Sequence, residues 1–256
     1  MSAFGTDSQM FSRRSWVAVA CAWLMCLAAH LTWMLRTPEG ALREQLKTFQ
    51  FWSLETCVVL ALALSAVVAR DLLRGLDRYD GLRMTCLAMV AAGLTLFVAP
   101  RTNRIYYDEQ IYQSIGQNLT DLKLAQMCND GTVEYGSLQC SAGEYNKQPY
   151  AYPHLLSLAY RVFGVGESIA FAVNALVMAL TVCALYLLVL TLFSDRVAAF
   201  FAGLLIALTP EQLIWSATAA AEPSASLACI IALAGAAHFA RSRSTAALAG
   251  AAVASA

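Results

Sequence analysis

Charge is what this sequence has least of. Only 13% of its 256 residues are charged, about half the share found in an average soluble domain. The formal net charge is +0, so bulk attraction to nucleic acid is not indicated. No CxxC pair is present, which excludes zinc sites of the ribbon or finger kind. Six of the eight Cys (Cys21, Cys26, Cys57, Cys86, Cys183 and Cys229) lie inside apolar runs and count as small hydrophobes. Those runs hold almost nothing ionisable. Glu55 and His30 fall toward span ends, and Asn174 is polar but neutral. Pumps and coupled transporters bury charges at mid-membrane, and the lack of them here argues against a small-solute transporter. No small-residue cleavage site follows the first run, so it is expected to be an uncleaved span rather than a secretory leader.

What is present in quantity is hydrophobic sequence, 59% of the chain, gathered into long runs. A hydrocarbon core about 30 Å thick needs about 20 helical residues to cross it. The runs that qualify are 16–35, 51–69, 84–99, 168–193, 197–213 and 224–240, and a seventh opens at Thr245. The expected fold class is therefore all-α: a multi-pass transmembrane helical bundle forming one polytopic membrane domain over 1–256. The chain stops inside the seventh run at Ala256, as expected of a fragment truncated at its C-terminus or a product shorter than its relatives.

Lys and Arg in short loops set the orientation. Nine basic residues (Arg13, Arg14, Arg70, Arg74, Arg78, Arg83, Arg196, Arg241, Arg243) fall on one side, and the remaining eight of the 17 fall on the other. The nine are packed into short connections, while most of the eight are spread along one long loop, where the rule is weak. The expected arrangement is a plasma (inner) membrane protein with a cytoplasmic N-terminus and residues 101–167 extracytoplasmic.

That outer loop is the polar island of the chain. Ile111, Ile115 and Leu119 recur every four residues with Tyr112 beside them, which predicts an amphipathic helix over 107–119. Leu155, Leu156, Ala159, Tyr160 and Phe163 predict a second over 152–163, with Pro153 in its first turn. Both are expected to lie on the outer bilayer surface, with 121–147 irregular between them. Cys128 and Cys140 stand in polar, turn-prone sequence, where an oxidising compartment would allow a disulfide; the alternative is two unpaired thiols. Asn118-Leu-Thr is a glycosylation sequon of a kind common by chance.

Tyr106-Tyr107-Asp108-Glu109 places two carboxylates just outside the third span. A carboxylate there could take a proton from an attacking hydroxyl or help to hold a divalent metal. On a helix the two point about 100° apart, so one of them faces a given substrate. The competing interpretation is an N-terminal cap with an acid suited to the helix dipole. Glu222 stands before Pro223 at the mouth of the sixth span, again a candidate acid or a cap, while Pro210-Glu211 has the form of a simple turn. Among the basic groups, Arg104 and Lys147, with His154 nearby, are candidates to hold a lipid phosphate. Arg101 and Arg161 are expected to snorkel to headgroups.

Together these pieces resemble the GT-C membrane glycosyltransferases, in particular the protein O-mannosyltransferase and lipid A aminoarabinose transferase branch. The residues that carry the resemblance are Tyr107-Asp108-Glu109-Gln110-Ile111-Tyr112, Lys147-Gln148-Pro149-Tyr150-Ala151-Tyr152-Pro153, and Trp215-Ser216-Ala217 through Glu222. The resemblance implies transfer of a sugar from a polyprenyl-phosphate donor to a protein, lipid or glycan acceptor outside the membrane. It also implies that Asp108 is the catalytic or metal-positioning acid with Glu109 beside it, and that Glu222 is the second acid. Lys147 would meet the lipid phosphate, with Arg104, His154 and Tyr107 as further substrate-binding candidates. No cofactor is implied beyond a divalent metal at the acids. The alternative from another class is a catalytically incomplete membrane subunit that binds a polyprenyl lipid or scaffolds a partner.

Overall fold

The structure, a computed structural model, describes residues 13–73, 75–102, 108–146, 148–242 and 245–255. Arg104, Tyr107 and Lys147 lie outside these residues. The chain divides into two units, 1–46 and 47–256.

The first unit contains α1 (Arg13–Arg36) and the start of α2 (Glu39–Leu73). Pro38 stands between them, where a residue without an amide proton costs least. Across this turn the Trp33 indole donates to the Gln45 side chain at 2.9 Å.

The second unit is built from helices and one hairpin. The remaining helices are α3 (Arg78–Gly93), α4 (Asp108–Asp121), α5 (Ala151–Phe163), α6 (Glu167–Phe193), α7 (Arg196–Leu208), α8 (Pro210–Ser216), α9 (Glu222–Ser242) and α10 (Thr245–Ser255). A π-helical turn, Leu94–Val98, prolongs α3. Among the described residues, three helices are long and apolar enough to cross a membrane: Arg78–Val98, Glu167–Phe193 and Glu222–Ser242. The pair α7 and α8 makes a fourth if it is taken as one broken span. The chain is thus a helical membrane protein. The expected spans at 16–35 and 51–69 are helical throughout.

The structure departs from sequence expectation in four places. The run 197–213 is not one straight span, because α7 and α8 meet at 62°. Pro210 begins α8 and holds Thr209 in an extended conformation, φ −67° and ψ 117°, which ends α7. Glu211 accordingly lies in the first turn of a helix and not in a simple turn. The third span begins at Arg78 rather than at 84, started by a capping box in which Asp77 accepts the Asp80 amide and Asp80 accepts the Asp77 amide.

The third departure is an antiparallel hairpin, β1 (Met127–Glu134) and β2 (Ser137–Glu144), where irregular chain was expected and where the all-α class has no place for it. It is anchored from outside itself. The Lys47 carbonyl accepts from Ala125 N at 2.9 Å, the Lys47 ammonium donates to Gly143 O at 2.9 Å, and the Asp121 carboxylate accepts from Leu138 N at 2.8 Å. A disulfide joins Cys128 to Cys140 across the hairpin, with Cα atoms 5.8 Å apart. At the bulge between them Gly131 allows a close approach: a Cβ there would sit 2.6 Å from Gln139 O and 2.9 Å from Cys128 Sγ.

The fourth concerns the apolar stripes of α4 and α5, most of which face protein. Ile115 and Leu119 of α4 are fully buried with Phe51 of α2, Ala125 and Tyr150. Tyr112 meets Tyr152 of α5 edge-on, with ring centroids 5.6 Å apart. Most of each stripe is thus buried against neighbouring helices, while Val162 and Phe163 at the end of α5 stay exposed. Asn118 is also fully buried, donating to Ser114 O at 2.9 Å and accepting from Gln126 at 3.2 Å. The sequon is therefore not an accessible acceptor in the folded chain.

Gly116 is where α4 and α5 come closest. A Cβ at this position would lie 3.2 Å from Leu156 Cβ, 3.2 Å from Pro153 O and 3.3 Å from the Tyr160 ring. Two of these atoms belong to or adjoin backbone and cannot rotate away. Ala gains about 1 kcal/mol of helix propensity over Gly, and overpacking costs about 1–3 kcal/mol. Gly116→Ala is expected to lower the melting temperature of the detergent-solubilised protein, and Gly116→Val to lower it further.

Two groups of packed side chains organise the second unit. At one end α3, α6 and α7 pack through Leu87, Met178, Val182 and Tyr186, and Asp80, Tyr186 and Arg196 meet. Arg241 joins them, donating to Leu192 O at 3.0 Å. At the other end lie α4, α5, the hairpin and the turn before α9, packed through Tyr112, Tyr152, Leu156, Tyr160, Ala170 and Ala219.

Candidate active site

The second of these ends holds the sequence-marked acids. Asp108 and Glu109 occupy the first turn of α4, where carboxylates are favoured by the helix dipole. As their spacing requires, they point apart: Asp108 is exposed and Glu109 is 1% exposed. Glu222 opens α9, followed by Pro223, and is exposed. Tyr112 lies one helical turn after Asp108 and Glu109 on α4. Burial, and then the charges of Asp108, Glu222 and Glu109, push its hydroxyl up to about 12. One phenol thus feels all three carboxylates, and it stays protonated at neutral pH as a hydrogen-bond donor.

Tyr152 extends this wall. Burial and the neighbouring Tyr160 raise its hydroxyl well above the ordinary phenol range, Asn174 opposes the shift, and Glu109 and Glu222 add to it. α4, α5, α6 and the mouth of α9 therefore converge on one place.

The segment that precedes α5 is brought to the same place. Gln148 donates from Nε2 to Asp108 Oδ1 at 2.8 Å, joining positions 40 residues apart. Tyr150 fixes this segment: its hydroxyl donates to Asn146 O at 2.7 Å and accepts from Asn146 N at 2.9 Å. The Asn146 side chain accepts the Gln148 amide at 2.9 Å. Lys147, the adjoining residue, lies outside the described residues, as do Arg104 and Tyr107.

His154 is placed elsewhere, on the opposite face of α5 from Tyr152. It is 2% exposed, packs against Phe51 and sits near the Glu55–Arg161 ion pair. Burial holds its imidazole below the ordinary value, Glu55 opposing and Arg161 assisting. It is a neutral group away from the carboxylates. Arg161 pairs with Glu55 and lies over the Phe51 ring at 5.5 Å, so it is committed to packing α5 on α2. Among the described residues no three His, Cys, Asp or Glu side chains converge to hold a metal ion. Asp108, Glu109 and Glu222 do not form a ready divalent-cation set.

Sequence reading missed two components. Gln148 appeared only as part of a motif, and its contact with Asp108 has no local signal. Asn174 was noted as a polar residue in an apolar run, which is a signal of function or of a buried hydrogen bond, but its partners were not visible. No curated protein and no solved structure matches the chain. Residues 147–256, which hold Gln148, Tyr152, Asn174 and Glu222 and leave out Asp108, match the family model described as dolichyl-phosphate-mannose-protein mannosyltransferase.

Proposed function

We propose that the chain transfers a sugar from a polyprenyl-phosphate donor to a protein, lipid or glycan acceptor at the outer face of the membrane. The observation that carries this reading is the hydrogen bond from Gln148 to Asp108, which brings the segment before α5 to the acidic start of α4, with Tyr112 in the field of Asp108, Glu222 and Glu109. The family match supplies the reaction class. Asp108 and Glu222 are both exposed; Asp108, bonded to Gln148, takes the role of base toward the acceptor hydroxyl. The acceptor oxygen bonds to the anomeric carbon and its proton passes to Asp108. The bond from that carbon to the phosphate oxygen breaks, and polyprenyl phosphate leaves. Lys147, next to Gln148 in sequence, has the charge to neutralise the departing phosphate.

An apolar cavity of about 440 Å³ supports the lipid-linked donor. Leu155, Val177, Ser224, Leu227 and Ile231 are among the residues that line it. Ser224 is two residues from Glu222, so the cavity reaches the mouth of α9. The Cys128–Cys140 disulfide favours placing this end in an oxidising compartment.

Membranes containing the protein, incubated with radiolabelled polyprenyl-phosphate sugars, are expected to move label from the lipid fraction to an acceptor. Label that stays on every donor tested, with the protein intact in the membrane, would overturn the proposal.

A further inference from the structure

Asn174 is a side chain whose position the bundle alone does not explain. It lies in α6, the most apolar of the spans, and is fully buried. Its Nδ2 donates to two backbone carbonyls, Thr218 O at 2.6 Å and Ala220 O at 2.9 Å. Both belong to the turn between α8 and α9. Ala217, Thr218, Ala219 and Ala220 in that turn are each 3% exposed or less. A buried turn has backbone polar groups to satisfy, and the turn's own polar side chain, Thr218, spends its hydroxyl on Trp215 O at 3.1 Å. Asn174 satisfies two of them from 44 and 46 residues away. The turn leads directly into Glu222.

The other end of the amide faces the acids' own wall. The Tyr152 hydroxyl lies close to the Asn174 side chain without closing a full hydrogen bond, and Tyr152 is itself within the field of Glu109 and Glu222. One amide therefore ties the turn that leads into Glu222 to α6, beside Tyr152 of α5. Two donated bonds, one at 2.6 Å, fix that turn in a water-poor setting, where such bonds are costly to leave unmade.

We propose that Asn174 is a positioning residue, which sets Glu222 against Tyr112 and Tyr152 by holding the 217–221 turn. It does not touch the reacting atoms. The inference rests on the transfer reaction proposed above, and its test includes a readout that does not depend on transfer.

The test compares the full-length protein with Asn174→Ala, Glu222→Gln, the double variant, and Thr181→Val as control. Thr181 is equally buried on α6 and bonds only within its own helix, to Val177 O. Transfer kinetics and hydrogen exchange of the 215–223 peptides are read for each. Asn174→Ala is expected to lower kcat by about tenfold or more with KM for donor little changed, and to speed exchange at 217–221 selectively. The double variant should be no slower than Glu222→Gln, since both changes act through one group. Thr181→Val should move neither readout.

Faster exchange confined to 217–221 in a protein that transfers no sugar would keep the positioning role and overturn the proposed reaction. Unchanged exchange and kcat in an active protein would overturn the positioning role. So would exchange raised throughout the bundle, or additive losses in the double variant, because a merely structural role predicts both.

Discussion

Asp108→Asn is expected to lower sugar transfer by about 10²–10⁴-fold, the loss that follows removal of a general base. The substitution is chosen for what it preserves. Gln148 donates to Asp108 Oδ1, and the Asn carbonyl oxygen can accept the same bond. The position of α4 against the 146–150 segment should therefore survive. The helix dipole loses an acid in its first turn, a change of about 0.3–1 kcal/mol at an exposed site. Melting should thus barely move while transfer collapses. Steady-state kinetics and a melting curve on the same preparation check both halves. Retained transfer in Asp108→Asn would remove Asp108 from the chemistry and leave Glu109 and Glu222 as the remaining acids.

The burial of Glu109 gives this prediction its direction. Adjacent carboxylates on a helix point apart, and in the structure Asp108 is exposed while Glu109 is inside. The sequence could state the geometric rule but not the choice, because the choice depends on how α4 lies against α5 and on Tyr112 meeting Tyr152. The same contrast runs through the fold. Both loop helices were legible, since Ile111, Ile115 and Leu119, and Leu155, Leu156 and Tyr160, repeat with helical period. Which surface they faced was not, because a stripe that suits a bilayer suits Phe51 and Tyr150 equally well. The hairpin was illegible for a related reason. Asn129, Asp130 and Gly131 break any strand pattern, and what holds the strands is a disulfide and anchors from Lys47 and Asp121.

Long range also explains the site. Asp108 and Glu222 were visible as acids at helix starts, which is a local pattern. Gln148 reaches Asp108 across 40 residues, and Asn174 reaches its turn across 44. Neither has a local signature beyond being polar where its neighbours are not.

Asp80 is the strongest case, and its replacement is expected to have the largest effect on stability. Arg78, Asp80 and Arg83 look in sequence like a charged loop before a span. In the structure they lie in the first turns of α3, and the Asp80 carboxylate is fully buried. Tyr186 of α6 donates to it at 2.6 Å, Arg196 of α7 donates to both oxygens at 3.0 and 3.1 Å from 116 residues away, and Arg83 donates at 3.0 Å. The Asp77 amide, at 3.1 Å, completes the set. One carboxylate thus fixes the relative positions of three helices that share the Leu87, Met178 and Val182 core. Asp80→Ala leaves the buried Tyr186 hydroxyl without its acceptor and two guanidinium groups without their shared countercharge. The arginines are more than a third exposed and can turn to water, so the hydroxyl and the lost cap dominate. The expected cost is about 2–4 kcal/mol. Thermal unfolding of the detergent-solubilised protein should show a fall several times that of Gly116→Ala. Asp80→Asn, which keeps shape and acceptor but not charge, should fall between Asp80→Ala and wild type. If both Asp80 variants melt with wild type, the contact is incidental, and the packing of Leu87 against α6 and α7 holds this end of the bundle unaided.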